Sequence, residues 1–311
     1  MSFFTLLSSA EVAVVMGLIY SVMGMGYYLS YTILDFPDLT VEGSVVSGAV
    51  SFGLLVRAGL DPWLSLLCAF LIGCAAGAVT GVLHVKLKIR DLLCGILVST
   101  FLISVNLILT VVGQGGKWDG SGALTVIPVR QTVFSTKIAS WIPANIQNIK
   151  LRELVVCLVV AVAIKLLIDW FLKTKCGLLL RAAGNNPRFV TMLGRDPGHS
   201  KILGLALGNG LAAVTGALLC CQRSSADQSM GLGMVVIGIA SVIIGMSVFG
   251  RVRCMKPTTK VILGAVIYQL ALGVATLVGI PSGYNKALMA CLFTVALVTS
   301  DRLRKKRGGA A

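Results

Sequence analysis

Charged side chains are scarce in this sequence. Charged residues make up 13% of the 311 residues, whereas a soluble domain usually carries about 25%. Hydrophobic residues make up 56%, and the mean hydropathy is +0.91. This composition excludes an ordinary soluble domain and predicts an all-α, polytopic membrane protein.

Catalytic and metal-binding motifs are also missing. The sequence contains no Walker-type phosphate loop, no strand-linked Gly-x-Gly-x-x-Gly, no His-Glu-x-x-His and no nucleophile elbow. Its two histidines and nine cysteines form no Cys-x-x-Cys, so neither a metal site nor a disulfide framework is indicated. We therefore expect a chain that is not an enzyme and binds no cofactor. If ATP drives this protein, a partner subunit binds the ATP and its Mg²⁺.

Long apolar runs dominate the chain. A helix that crosses the bilayer core needs roughly 20 apolar residues. Seven runs meet this length: Val12–Ser30, Trp63–Leu83, Leu92–Val112, Leu154–Leu172, Ile202–Cys221, Leu232–Phe249 and Val261–Val278. Two more, Val41–Val56 and Ala287–Thr299, are shorter. We expect about 8–10 transmembrane helices in a single permease domain over residues 1–311.

The basic residues predict the orientation of these helices. Most of the 27 Lys and Arg residues fall in four segments, Lys86–Arg90, Lys173–Lys201, Arg251–Lys260 and Arg302–Arg307. The positive-inside rule places these segments in the cytoplasm. We therefore expect a multi-pass protein of the cell (inner) membrane, with its C-terminus in the cytoplasm and its N-terminus outside. Because the basic residues lie between spans and form no soluble face, the net charge of +15 does not indicate nucleic acid as a partner.

A broken or re-entrant segment is expected near residues 35–56. The short run Val41–Val56 follows a polar stretch that contains Pro37, and polar backbone at membrane depth is tolerated where it lines a protein-enclosed cavity. The alternative is an acidic loop in which Asp38 or Thr40 caps the next helix. The candidate residues of a translocation path are Asp35, Pro37, Asp38, Thr40, Glu42 and Ser44, together with the mid-span Asn106 and Asn209. For both asparagines, hydrogen bonding between helices is an equally good interpretation.

Glycines recur every four residues on two of the spans. Gly73, Gly77 and Gly81 do so on one, and Gly204, Gly208, Ala212 and Gly216 form the corresponding row on another. Such rows of small residues let neighbouring helices approach closely. They predict a tightly packed bundle.

The segment 174–199 is punctuated like a folded element between two spans. Gly177–Ala183 predicts a short helix with an apolar side and with Arg181 exposed. The sequence Gly184–Pro187 breaks it, and Pro187 can open a second helix that ends at Leu193 and Gly194. A helix–turn–helix on the cytoplasmic face is a structure that a motor subunit could grip. The alternative is a basic loop that only enforces topology.

The remaining ionisable residues within spans favour no ion relay. Lys165 and Asp169 stand one turn apart and are expected to pair. An ion-coupled secondary transporter stays as the alternative function, and it would depend on Asp169 or Glu42.

The loop 113–151 is expected on the outer side, with Thr132–Trp141 as an interfacial helix that turns Phe134, Ile138 and Trp141 to the lipid headgroups.

The sequence resembles the permease subunits of ABC importers of the branched-chain amino acid and ribose type. The resemblance rests on Gly177–Arg188, Leu193–Gly194, Lys201–Leu219, Leu34–Ser44, Met230–Gly245 and Ile280–Lys286. It is greatest to a branch associated with aromatic amino acid uptake.

The resemblance implies a permease dimer over two ABC ATP-binding subunits that receives solute from an extracytoplasmic solute-binding protein. It also implies that the segment 177–194 couples the chain to the ATPase. The residues so implied are Gly177, Arg181, Ala182, Gly184, Asn186, Pro187, Arg188, Leu193 and Gly194. An amino acid is the expected solute, and nucleosides and sugars remain open through wider relatives.

Overall fold

The computed structural model describes residues 3–113, 127–129, 131–136, 150–250, 252, 254–277, 287–295 and 297–298. Most of the predicted outer loop 113–151 lies outside these residues, and so do Ile138 and Trp141 of its predicted interfacial helix. Of that loop, Phe134 is described: it lies in a 3₁₀ turn, Val133–Ser135, and is buried. The prediction that Phe134 faces lipid headgroups is therefore wrong, because this apolar ring packs inside the protein.

Ten helices with defined bounds follow one another in the described part of the chain. They are α1 (Phe3–Tyr27), α2 (Thr40–Arg57), α3 (Pro62–Leu87), α4 (Asp91–Gly113), α5 (Leu151–Phe171), α6 (Lys175–Asn185), α7 (Pro187–Met192), α8 (Pro197–Arg223), α9 (Met234–Val248) and α10 (Pro257–Leu277). A π-helical turn, Tyr28–Ile33, continues α1, and a 3₁₀ turn, Gln228–Gly231, precedes α9. Residues 287–295 are also helical. Two short strands, β1 (Ile127–Pro128) and β2 (Ser225–Ala226), pair antiparallel.

Seven of these described segments are long and apolar enough to cross a membrane. They are Ser9–Ile33, Pro62–Leu87, Asp91–Val111, Leu151–Phe171, Pro197–Arg223, Gln228–Val248 and Pro257–Ala275. Each coincides with one of the seven long runs predicted from the sequence. The prediction of an all-α polytopic membrane protein is confirmed.

The chain divides into two compact units. One comprises Met1–Met25, Ile142–Leu166 and Val236–Ala311, and the other comprises Gly26–Trp141 and Leu167–Val235. In the first unit, small residues permit close helix packing: a Cβ on Gly17 of α1 would lie 2.7 Å from the Val266 Cα of α10. On α10 itself, a Cβ on Gly264 would overlap the Ser241 carbonyl of α9. Every site described below lies in the second unit.

The second unit is built around α2. This helix contacts α3, α4 and α8, and most of its residues are buried. Because protein surrounds it, α2 does not need the lipid-facing hydrophobicity of the outer helices, and it carries serines and glycines instead. This environment explains why the run Val41–Val56 looked too short and too polar for a span.

The glycine row of α3 brings this helix into direct backbone contact with α8. A Cβ on Gly81 would lie 2.8 Å from the Ile202 Cα, and a Cβ on Gly73 would lie 2.5 Å from the Asn209 carbonyl oxygen. A Cβ on Gly77 would overlap the Leu205 carbonyl oxygen. The α8 row packs on other neighbours: a Cβ on Gly208 would lie 3.3 Å from the Gly26 carbonyl oxygen, and a Cβ on Gly216 would overlap the Val45 carbonyl of α2. The predicted close approach of neighbouring helices is confirmed for each row, against different partners.

The break before α2 is real, and α2 itself is continuous. Residues 34–39 are not helical, and Asp35 has a φ of +53°. From Thr40, α2 runs for 18 residues, about 27 Å at 1.5 Å per residue. Its first turn lies beside Thr80 near the end of α3, and Arg57 at its far end donates a hydrogen bond to the Gly113 carbonyl at the end of α4. Residues 34–39 thus interrupt the helical chain, and Thr40–Arg57 follows as one uninterrupted helix.

Candidate functional site

Helices α6 and α7 form the predicted helix–turn–helix. α6 starts at its N-cap Thr174, whose hydroxyl accepts a hydrogen bond from the Gly177 amide at 3.3 Å. Asn186 then ends α6 and caps α7, because its side-chain oxygen accepts a hydrogen bond from the Phe189 amide at 3.2 Å. Pro187 occupies the first turn of α7, where its missing amide hydrogen costs nothing. The prediction of two short helices in this segment is confirmed.

One side of α6 is anchored in the second unit. Leu180 and Ala183 are fully buried. The side chain of Leu180 and that of Leu34 both rest on Gly204 of α8, where a Cβ would come within 2.7 and 2.5 Å of their Cδ1 atoms. The same small residue on α8 therefore receives α6 and the start of the break before α2.

Gly184 of α6 lies directly on the end of the first helix. A Cβ on Gly184 would overlap the Ile33 carbonyl oxygen and would lie 3.1 Å from the Leu34 Cα. Ile33 is the last residue of the π-helical turn, so the contact is made where the chain leaves α1 and enters the break. No other residue type fits at position 184 without moving one of the two segments.

The outward side of α6 and α7 is basic and apolar at once. Arg181 and Arg188 are exposed, Asn186 and Pro187 form the exposed turn, and Ala182 is half-buried. Three apolar side chains are also exposed: Phe189 to 51%, Met192 to 84% and Leu193 to 56%. Gly194, with a φ of +69°, ends the element. We call the exposed surface formed by Arg188, Phe189, Met192 and Leu193 the α7 tip.

The sequence reasoning missed Phe189 and Met192. Their signal was available: α7 is only six residues long and can bury one side, yet the segment carries apolar residues at 189, 190, 192 and 193. Val190 is the one that is buried. The others have to face outward.

A polar cavity lies beside the contact of Gly184 with Ile33, between α6 and the residues that lead into the break. Its volume is about 520 Å³, and it is lined by Tyr28, Thr32, Ile33, Asp35, Arg181, Gly184 and Asn185. The structure thus brings Asp35 of the predicted path and Arg181 of the predicted coupling segment to one cavity.

Asp38 ties the break to α2 and α8. Its carboxylate accepts a hydrogen bond from the Thr40 amide at 2.8 Å and another from the Asn209 side-chain amide at 2.5 Å. The Tyr27 hydroxyl donates to the Asp38 carbonyl oxygen at 3.0 Å. Asp38 and Asn209 are both inaccessible to solvent, with exposures of 1% and 0%. Asp38 thus bonds the first amide of α2 from one residue before the N-cap, which is Leu39.

Both mid-span asparagines form hydrogen bonds between helices. Asn209 accepts a hydrogen bond from the Ser44 hydroxyl at 2.7 Å. Asn106 accepts one from the Ser47 hydroxyl at 2.8 Å and donates one to the Gly43 carbonyl at 3.2 Å. A further bond at 2.8 Å joins the Thr40 and Thr80 hydroxyls. These polar side chains hold α2 against α3, α4 and α8.

Pro37 and Glu42 stand apart from this network. Pro37 is half-buried within the break. The Glu42 carboxylate accepts a hydrogen bond from the Gly233 amide at 3.1 Å and lines a cavity of about 280 Å³. The sequence reasoning missed the residues opposite Glu42 in this cavity, Gln228, Ser229 and Gly231. These residues lie just before Leu232, where the predicted apolar run begins, so hydropathy did not mark them as part of that segment.

The part of the chain that the structure describes contains no group of three or more His, Cys, Asp or Glu side chains placed to hold a metal ion.

Comparison with known proteins decides the family. Residues 9–297 match the family described as the permease component of the branched-chain amino acid transport system. The chain belongs to this family.

Relatives of this permease are named for different solutes. The chain is 37% identical over 284 residues to a protein named as a tyrosine transport system permease of Clostridioides difficile, covering 91% of this chain and 88% of the relative. It is 29% identical to a probable branched-chain amino acid permease of Methanocaldococcus jannaschii, covering 76% and 73%. It is 25% identical to a ribose import permease of Haemophilus influenzae, covering 87% and 78%.

Family membership implies that this permease is a multi-pass membrane protein and that it works with an ATP-binding subunit and a substrate-binding protein. The earlier resemblance to ABC importer permeases is confirmed at family level.

Proposed function

We propose that this permease forms the translocation path of an ATP-driven importer for an amino acid, and that α6 and α7 couple the path to the ATPase. The observation that carries this proposal is the contact between Gly184 and Ile33, which joins a solvent-facing element to the break before α2 without any flexible linker. The distribution of Lys and Arg supports a cytoplasmic location for this end of the protein.

The α7 tip is the proposed contact with the ATP-binding subunit. Exposed aromatic, Met and Arg side chains are typical anchors of protein interfaces, and the tip presents all three types. Arg181, on the adjoining α6, adds a second basic contact. A second permease copy and an extracytoplasmic solute-binding protein complete the assembly, as expected for this family.

A displacement of α6 is transmitted to α2 through the break. It reaches Ile33 through Gly184, because the two backbones are in direct contact and no side chain lies between them to absorb the displacement. The break then carries it to Asp38, whose carboxylate holds the start of α2 and the middle of α8 together. Packed elements of this kind shift between discrete arrangements, and ATP binding by the partner would select between them.

An amino acid is the proposed solute, and an aromatic one fits best among those considered. The support is the relative named for tyrosine transport, which is more similar to this chain than the ribose permease is. The relatives are named for different solutes, so the family alone does not decide which solute this permease carries.

Reconstitution tests the proposed function. Proteoliposomes that contain the permease and its ATP-binding subunit, with the solute-binding protein outside, should accumulate radiolabelled L-tyrosine only when ATP is inside. Collapsing the ion gradients should leave this uptake unchanged. Uptake that requires an ion gradient and survives omission of the ATP-binding subunit would instead support the ion-coupled carrier.

A further inference from the structure

The cavity beside Glu42 lies between α2, α4 and the 3₁₀ turn that precedes α9. It is lined by Glu42, Gly43, Val46, Ser99, Ile103, Gln228, Ser229, Gly231 and Leu232. Its volume of about 280 Å³ is close to the lower end of small-molecule sites, which span roughly 300–1,000 Å³. It is therefore large enough for a small solute.

The wall opposite Glu42 is a break in a membrane segment. The span Gln228–Val248 begins with the 3₁₀ turn, and Gly233, with a φ of +84°, separates that turn from α9. The turn packs tightly on α2, because a Cβ on Gly231 would lie 2.5 Å from the Glu42 carbonyl oxygen. Irregular backbone inside a membrane is tolerated where it lines a cavity, and broken helices of this type often form solute sites in transporters.

The cavity offers hydrogen-bond acceptors that lack donors. One oxygen of Glu42 accepts a hydrogen bond from the Gly233 amide, and the described residues supply no bond to the other oxygen. The side-chain oxygen of Gln228 is buried and has no hydrogen-bond partner within the described regions. No Lys or Arg is among the lining residues that the structure describes. Glu42 is half-buried, and the Gln228 oxygen is buried. A buried acceptor left unpaired is costly, so a donor that enters the cavity gains a hydrogen bond at Gln228.

We propose that this cavity is the subsite of the translocation path that receives a protonated amino group of the solute. The group donates to the Glu42 carboxylate and to the Gln228 side-chain oxygen, and the apolar part of the solute lies on Val46 and Ile103. This inference rests on the proposed function, since it names what the path recognises. It selects solutes with an ammonium group over neutral sugars.

A thiol-reactivity experiment tests the charge preference of the cavity without any transport. Ser99, which lines the cavity, is replaced by Cys in the full-length chain after the exposed Cys176, Cys254 and Cys291 have been changed to Ser. The rates of modification by aminoethyl methanethiosulfonate (cationic) and sulfonatoethyl methanethiosulfonate (anionic) are then compared, with and without Glu42→Gln. The amide keeps the acceptor for Gly233 and removes only the charge.

We expect the ratio of cationic to anionic rates to fall about tenfold on Glu42→Gln, which corresponds to the loss of one nearby charge in a partly shielded site. A ratio that does not change would overturn the proposal, because Glu42 would then not face the space that Ser99 lines.

A second experiment measures solute handling in the reconstituted importer. Glu42→Gln and Gln228→Leu should each reduce the rate of L-tyrosine uptake at low solute concentration by at least about tenfold, the size expected for a lost charge-assisted hydrogen bond. Gln222→Leu is the matched control, since its side-chain oxygen is also buried and unpaired but does not line this cavity. In this control variant, both the uptake and the ATP hydrolysis without solute should stay at the level of the unaltered complex.

The two proposals fail in different ways. If the unaltered complex takes up L-tyrosine with ATP and both cavity variants do so equally well, the subsite is refuted and the importer stands. If the unaltered complex shows no ATP-driven uptake of any solute, the proposed function is refuted, and the thiol ratio still decides whether the cavity favours cations.

Discussion

Gly184 of α6 lies so close to the Ile33 carbonyl that a single Cβ at position 184 would overlap the oxygen. The contact is between two backbones, so no rotamer change can relieve it. It fixes the element that carries the α7 tip to the point where α1 gives way to the break. A rigid joint at this position is what mechanical coupling requires.

Gly184→Ala should therefore destabilise the second unit. Forcing a methyl group into a filled space typically costs about 1–3 kcal/mol, and we expect a loss of this size in the free energy of unfolding, measured by chemical denaturation in detergent. Asn185→Ala, at the exposed neighbouring position, should change it by less than about 0.5 kcal/mol. Equal stabilities for the two variants would show that the contact is loose in solution.

The side chains of the α7 tip should contribute to binding of the ATP-binding subunit and not to the stability of the permease itself. Phe189→Ala and Met192→Ala remove exposed side chains, so each should leave thermal stability within about 0.5 kcal/mol of the original. Each should weaken co-purification of the ATP-binding subunit by about tenfold or more, as expected for interface anchors.

Val190→Ala is the control for these tip variants. Val190 is fully buried, so its truncation should lower stability by about 1–3 kcal/mol and leave the affinity for the partner nearly unchanged. Tip variants that retain full affinity would contradict the assignment of this surface.

The two buried asparagines should differ in their energetic weight. Asn209 donates to the Asp38 carboxylate, and hydrogen bonds to charged groups are worth about 1.5–3 kcal/mol, against about 1 kcal/mol for neutral pairs. Within the described part of the chain, the Asn106 side chain bonds a hydroxyl and a carbonyl oxygen, both neutral. Asn209→Ala should thus destabilise the protein more than Asn106→Ala, by about 1 kcal/mol or more, in denaturant unfolding. The reverse order would indicate that Asp38 is neutral when buried.

Contact between α3 and α8 should depend on Gly77. A Cβ there would overlap the Leu205 carbonyl, so Gly77→Ala should cost about 1–3 kcal/mol and reduce the yield of folded protein in membranes. Val79→Ala, on an exposed face of the same helix, is the control and should have little effect. A Gly77→Ala protein of normal stability would mean that the two helices can separate at no cost.

Much of the fold was predictable because the bilayer enforces it. Runs of apolar residues must be helical where no water is present to satisfy the backbone, and all seven long runs proved to be helices. The bounds of α6 and α7 were equally predictable, since Thr174, Asn186 and Pro187 act through local hydrogen bonds and fixed dihedral angles. Local rules of this kind need no knowledge of tertiary structure.

The sequence could not reveal which helix lies at the centre of the second unit. α2 is enclosed by other helices, and its serines and glycines look like a weak span when judged by hydropathy alone. Its polar partners come from far along the chain: Ser44 meets Asn209, and Ser47 meets Asn106. Gln228 and Glu42 likewise share a cavity only because the turn before α9 folds onto α2. Pairings at such separations depend on packing, which one sequence does not display.

Cross-linking from the α7 tip tests the central claim most directly. A Met192→Cys variant carrying a short photoactivatable reagent is assembled with the ATP-binding subunit in membranes that import solute, and Ala58→Cys, exposed at the far end of α2, is the control. The account predicts a cross-link to the ATP-binding subunit from position 192 and none from position 58. An importing complex in which position 192 yields no such cross-link would contradict it.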